Sequence, residues 1–126
     1  MIALDTHALI WWTRSPQHLG EGAVRAISHA DRLGVPAIVF WEVALLARKK
    51  KVELGTSVGE WLRETLSLPR IEPLPLTAEI AVAAEGLHMH SDPADRFIVA
   101  TALQHRIALV SKDRLIAGAG LISTIW

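Results

Sequence analysis

The chain has 126 residues, 51% of them hydrophobic, with 13 basic and 13 acidic side chains and no formal net charge. That length suits one domain burying roughly two-thirds of the surface its unfolded form exposes, and the composition is too apolar for intrinsic disorder. There is no cysteine, which excludes disulfides, thiolate zinc sites and cysteine nucleophiles together.

The N-terminal run Met1-Ile2-Ala3-Leu4 has no basic region ahead of it and does not read as a signal peptide. No apolar stretch approaches the ~20 residues of a bilayer span, so a cytoplasmic protein with no membrane partner is expected. Ile2-Ala3-Leu4 reads as a buried first strand ending at Asp5. A helix from His7 to Thr13 follows and stops near Ser15-Pro16, because the residue before a proline avoids the helical region. Gly20 to Leu33 reads as a second helix with Ala23, Ile27 and Ala30 on one face, ended by Gly34. Val35 to Val39 is the predicted second strand, with Pro36 near its start, where a missing N–H is tolerated.

From Trp41 to Val52 the pattern is helical, and the Arg48-Lys49-Lys50-Lys51 run falls at its C-terminus, where the helix dipole favours cations. Ser57 is the expected N-cap of a helix through Leu68 that buries Trp61, Leu62, Thr65 and Leu66. Ile71 to Leu74 is an edge-like strand because of its proline, and Thr77 to Leu87 another helix. Pro93 to Arg106 is the clearest helix, with proline at the first position and Phe97, Ile98, Thr101, Ala102 and His105 at helical spacing. Ile107 to Val110 reads as a strand buried on both faces, Asp113 to Ala117 as a helical turn, and Leu121 to Ile125 as a closing strand. Strands alternating with helices imply an α/β domain over residues 1–126, with a parallel sheet covered on both sides.

Asp5, Glu42, Asp95 and Asp113 each fall where a predicted strand hands over to a helix. Right-handed crossovers gather such turns along one sheet edge, where ligands of these folds sit. Each aspartate also has a structural reading. Asp5 and Asp113 suit N-caps worth about 1 kcal/mol, and Asp92-Pro93-Ala94-Asp95 fits N-cap through N3. Glu42 is harder to explain locally, because Phe40, Trp41, Val43 and Leu45 surround it and a buried lone glutamate is costly. Together, the acids would repel one another unless a cation neutralised them. Oxygen ligands without cysteine select hard ions such as Mg²⁺ or Mn²⁺, which polarise phosphates and acidify water. With these acids confined to a metal site, 9 acidic residues remain against 13 basic ones, which weakens the objection that a neutral chain has no nucleic-acid partner.

Around these positions, Thr6 and Ser111 carry hydroxyls able to bond the carboxylates or merely to stabilise turns. His7 and Arg96 are candidate RNA contacts, with helix-surface packing and a salt bridge as the respective alternatives. His88 and His90 read as members of a solvated loop and His105 as structural. The lysine-rich run suits either an RNA backbone or a solvated helix end, and the tryptophans read as packing rather than a base-stacking platform.

Five pieces stand in order along the chain: Leu4-Asp5-Thr6-His7-Ala8-Leu9-Ile10-Trp11-Trp12, Trp41-Glu42-Val43-Ala44, His90-Ser91-Asp92-Pro93-Ala94-Asp95-Arg96, Ile98-Val99-Ala100-Thr101-Ala102, and Leu109-Val110-Ser111-Lys112-Asp113. In order and spacing the chain resembles the PIN-domain family, specifically the toxin ribonucleases of VapBC toxin–antitoxin pairs. The resemblance implies a three-layer α/β/α sandwich with metal-binding catalytic acids at Asp5, Glu42, Asp95 and Asp113. It further implies Mg²⁺- or Mn²⁺-dependent cleavage of RNA, homodimerisation, and inhibition by a cognate VapB-like antitoxin. Asp92 belongs to the proline-containing form of the third motif found in one branch. A PIN-type nuclease or RNA-binding domain outside any toxin pair is the alternative. Phosphoacceptor receiver domains and aspartate-nucleophile phosphatases fit poorly, since Thr6 and His7 stand where they require further acids. A nucleotide-binding module lacks its glycine-rich loop.

Overall fold

The computed structural model describes residues 1–126. Its elements run β1 (Ile2–Leu4), α1 (Thr6–Arg14), a 3₁₀ turn (Pro16–His18), α2 (Glu21–His29), β2 (Leu33–Pro36), α3 (Ala37–Arg48), α4 (Val58–Leu66) and β3 (Ile71–Leu74). They continue through α5 (Ala78–Glu85), α6 (Pro93–His105), β4 (Leu109–Val110), α7 (Arg114–Ala119) and β5 (Thr124–Ile125). The central strands are apolar without alternation because helices cover both faces of the sheet: Ala3, Leu4, all of β2 and both residues of β4 are buried. This is the three-layer sandwich that the resemblance implies.

All strand pairs are parallel, in the order β3-β2-β1-β4-β5. The chain starts in the middle, builds outward through β2 to β3, then returns to the other side of β1. The direction of winding therefore reverses between β1 and β4, and a crevice opens beyond their carboxyl ends. Asp5 and Asp113 follow those two strands. Their register is fixed by Leu4 opposite Val110 and by the Asp5 N–H donating to the Val110 carbonyl at 3.0 Å.

Two sequence expectations shift. The second helix ends at His29 rather than Leu33, and the second strand is Leu33–Pro36 rather than Val35 to Val39. Arg70 closes α2 early, donating from Nη1 to the carbonyls of Ile27 and Ala30 at 2.6 and 2.9 Å. Leu33 to Pro36 then pair with Ile71 to Leu74. Gly34 serves that pairing rather than a helix end, because a Cβ there would lie 2.8 Å from Leu74 Cδ1. Ala37, Ile38 and Val39 consequently open α3 despite their strand preference, and Val39 and Val43 are buried one helical turn apart. Two smaller expectations also fail: Leu66 is exposed on α4, and His105 is exposed on α6. No helix is long and apolar enough to cross a membrane.

Candidate active site

At the crevice a cavity of about 420 Å³ is lined by Asp5, Glu42, Asp92, Asp95 and Asp113, with His7, Lys112 and Arg114 on its rim. Asp5 is the N-cap of α1, and its carboxylate accepts from the Thr6 N–H at 2.6 Å and the Ser111 hydroxyl at 2.5 Å. Ser111 follows β4 directly and is buried, so the pairing of β1 with β4 is what delivers this bond. Thr6, also buried, turns its hydroxyl away from its neighbour and donates to Glu42 Oε1. Asp113 is the N-cap of α7, with Oδ1 accepting from the Leu115 and Ile116 N–H groups at 2.8 and 3.2 Å. Capping thus explains part of what Asp5 and Asp113 do.

It does not explain the others. Asp92 occupies the N-cap of α6 yet makes no capping hydrogen bond, and its side chain lines the cavity instead. Asp95, at the third helical position, has only the His90 ring beside it, Nε2 to Oδ2 being 3.2 Å. Two of the acids also arrive differently from the handover the sequence suggests. Glu42 sits well inside α3 rather than at its start, and α6 follows helix α5 rather than a strand. One carboxylate oxygen from each of Asp5, Glu42 and Asp95 nevertheless lies within 4.8 Å of the others. A His90 nitrogen with oxygens of Asp95 and Asp113 forms a second such triplet, sharing Asp95.

The electrostatics follow from this crowding. Asp95 is pushed up to about 8, first by desolvation and then by the charges of Asp5, Asp92, Asp113 and Glu42. Desolvation raises Asp5 as well, against the lowering effect of its Ser111 and Thr6 bonds. Glu42 is raised by desolvation and by Asp5 and Asp92, with the Thr6 hydroxyl opposing. No lysine or arginine forms an ion pair with any of these acids; the Lys/Arg bridges join Arg14 to Glu64, Arg32 to Glu72 and Arg63 to Glu60. Within the chain, His7 acts favourably on Asp5 and Glu42, and the His90 ring faces Asp95. An oxygen-rich set of this spacing fits a hard divalent cation. A second cavity of about 350 Å³, between Trp12 and Trp61, has Glu64 as its only carboxylate, already bonded to Arg14.

Comparison with known proteins decides the family. The PIN domain model matches residues 2–120. The chain is 39% identical over 115 residues to ribonuclease VapC22 of Mycobacterium tuberculosis, covering 90% of this chain and 87% of that one. The chain belongs to the VapC branch of the PIN-domain family. Solved structures share the fold of this PIN domain at lower identity. Mycobacterium tuberculosis VapC20, a sarcin-ricin-loop-cleaving toxin, superposes with a TM-score of 0.73 at 16% identity over 100% of both chains. VapBC2 of Rickettsia felis, solved with a promoter DNA fragment, gives 0.71 at 16% identity, over 98% of this chain and 97% of that one.

Several residues of this PIN domain lie elsewhere than the sequence suggests. Arg96 faces away from the acid cavity. Its guanidinium donates to the carbonyls of Ala84, Leu87, Met89 and His90 at 2.8 to 3.1 Å, tying the end of α5 to the loop before α6. A guanidinium so engaged has little left for a phosphate, and the RNA-contact expectation for Arg96 gives way to an architectural one. His90 is half-buried rather than freely solvated: its side chain is 26% exposed, and Nδ1 accepts from the Asp92 N–H at 3.3 Å while Nε2 faces Asp95. The available signal was its place two residues before Asp92. His7 reaches the cavity rim, as expected of a candidate contact. The Arg48 to Lys51 run does not line the cavity.

Sequence reasoning missed Lys112 and Trp11. The Lys112 ammonium stands 4.6 Å above the Trp11 ring, which also meets His7, His18 and Trp126 at centroid distances of 5.4, 5.5 and 5.6 Å. Nothing in the spacing of these residues signals that gathering, since it depends on β1 and β4 being neighbours.

Proposed function

We propose that the chain is a cytoplasmic endoribonuclease, dependent on Mg²⁺ or Mn²⁺, acting as one domain and as the toxin of a type II toxin–antitoxin pair. The observation that carries the reading is the meeting of Asp5, Glu42 and Asp95 within 4.8 Å with no lysine or arginine in ion-pair contact with them. The 39% identity to ribonuclease VapC22 supports the reaction class, and the structural likeness to VapBC complexes supports an antitoxin partner; the homodimer rests on the family resemblance alone.

In this reading Asp5, Glu42, Asp95 and Asp113 hold the ion, and a divalent cation there supplies Lewis-acid polarisation of the scissile phosphate and a more acidic water. The chain's own residues set the geometry. Ser111 and the Thr6 N–H orient Asp5, the Thr6 hydroxyl orients Glu42, and two backbone N–H groups hold Asp113. His90 is fixed by the Asp92 N–H and faces Asp95, restricting where that carboxylate turns. Asp92 adds negative charge at the mouth.

The test is expression of the chain alone and with its neighbouring gene, mapping cut RNAs in each case. Growth arrest with defined cuts, relieved by the neighbour, is the expected result. Replacing Asp5 with Asn isolates the catalytic claim, because asparagine caps a helix about as well as aspartate. The variant should fold and fail to cleave. Cleavage retained by a folded Asp5→Asn chain refutes the assignment.

A further inference from the structure

Three exposed basic side chains line the acid cavity. Lys112 and Arg114, from the segment joining β4 to α7, stand there with His7 of α1. Five carboxylates line the same cavity, yet neither Lys112 nor Arg114 comes within ion-pair distance of one. The Lys112 ammonium lies instead over the Trp11 indole at 4.6 Å, a cation–π contact that holds a long flexible side chain in place.

Trp11 is itself braced. Trp126 packs against it, and Trp126 sits where Gly20 and Gly22 have no Cβ. A Cβ on Gly20 would meet Trp126 at 2.7 Å, and one on Gly22 would meet its carbonyl oxygen at 2.4 Å. Two glycines at the start of α2 thus leave space for the ring that supports the ring beneath the lysine.

We propose that Lys112, seated on Trp11 and flanked by Arg114 and His7, is a phosphate anchor for the RNA strand, binding a phosphodiester next to the scissile one. The anchor rests on the reading of the chain as a ribonuclease. A scissile phosphate among the acids would have its charge met by a divalent cation held there. Its neighbours along the strand meet only the rim, where a monocation already desolvated on one face by indole loses little further hydration on contact. An anchor of this kind reads charge rather than sequence, so its loss weakens all substrates alike.

The experiment is steady-state cleavage of a fluorescent single-stranded RNA oligonucleotide in Mn²⁺ across a potassium chloride series, for wild type, Lys112→Met, Lys112→Arg, Trp11→Leu and Lys51→Met. Removing one phosphate contact lowers the slope of log kcat/KM against log salt by about 0.7 for a single strand. Lys112→Met should show that loss, with KM rising by more than kcat falls, and Trp11→Leu should follow it. Lys112→Arg should restore the slope, and Lys51→Met, beyond the end of α3 and outside the cavity, should keep it. A Lys112→Met chain with the wild-type slope and KM overturns the anchor while leaving the ribonuclease reading intact. A wild-type chain that cleaves no RNA overturns both, so the two failures are told apart.

Discussion

Asp95→Asn should make the metal-free protein more stable while disabling it. Burial and the neighbouring carboxylates push Asp95 up to about 8 in the fold, against about 3.8 for an ordinary aspartate. At pH 7 the unfolded chain carries the charge and the folded chain retains the proton. At about 1.4 kcal/mol per unit, the interval from 3.8 to 7 sets a ceiling of ~4 kcal/mol against folding. The side chain is 15% exposed and its neighbours share the proton load, so relaxation and solvent screening reduce this to about 1–3 kcal/mol. Asparagine removes the ionisation and gives up about 0.5 kcal/mol in a poorer hydrogen bond to the His90 ring. The net gain of about 1–2 kcal/mol corresponds to a rise in Tm of roughly 4–8 °C for a domain of this size. The sign with pH is equally definite. A carboxyl whose folded pKa is raised contributes stability that is present below about 4 and lost as pH climbs to about 8. Melting in chelator from pH 4 to 8.5 should therefore show wild type losing stability across that window and the variant holding a flatter profile. Saturating Mn²⁺, at a hundred times its Kd, should return about 2.7 kcal/mol to wild type and little to the variant. A variant that melts below wild type in chelator at pH 7.5, and responds to Mn²⁺ as wild type does, refutes the electrostatic account of the site.

Ser111→Ala removes the hydroxyl that accounts for the largest lowering influence on Asp5, so Mn²⁺ affinity should fall about tenfold by calorimetry while the far-ultraviolet spectrum stays unchanged. Arg96→Met strips charged hydrogen bonds from the α5–α6 loop and should cost about 2–3 kcal/mol in urea denaturation. If Arg96 met RNA directly instead, the same variant would reduce the salt dependence of cleavage and leave the urea midpoint in place.

The parts of the site legible in sequence are those set by local chemistry. A short apolar run followed by an acid and then helical periodicity fixes Asp5 and Asp113, because strand burial and capping are both nearest-neighbour effects. Glu42, singled out as an acid among apolar neighbours, lines the cavity, yet from inside α3 rather than from the end of a strand. Ile38, Val39 and Phe40 have side chains that favour strands, and only the pairing of Leu33 to Pro36 with β3 shows that the helix has already begun. What stayed hidden depends on distant segments meeting. His90 is held by a loop that Arg96 ties down, and Lys112 finds Trp11 only because β4 lies beside β1.

The acids differ most in what the chain provides to hold their charge. Asp5 has a backbone N–H and a serine hydroxyl, Asp113 has two backbone N–H groups, and Glu42 has the Thr6 hydroxyl. Asp95 has the positive end of α6 and an imidazole at 3.2 Å, and it is the acid pushed up to about 8. A carboxylate with its own donors keeps its shape whether or not a cation is present. One without them remains protonated until a cation makes ionisation favourable, and it belongs to both ligand triplets. In the proposed site, binding of the ion would release the Asp95 proton, and apparent metal affinity should then rise by up to tenfold per pH unit below about 8. Desolvation raises Asp5 and Glu42 as well, so the comparison that isolates Asp95 is wild type against Asp95→Asn. A shallower pH dependence in the variant means that Asp95 shares the ion, and an unchanged one that it only borders it.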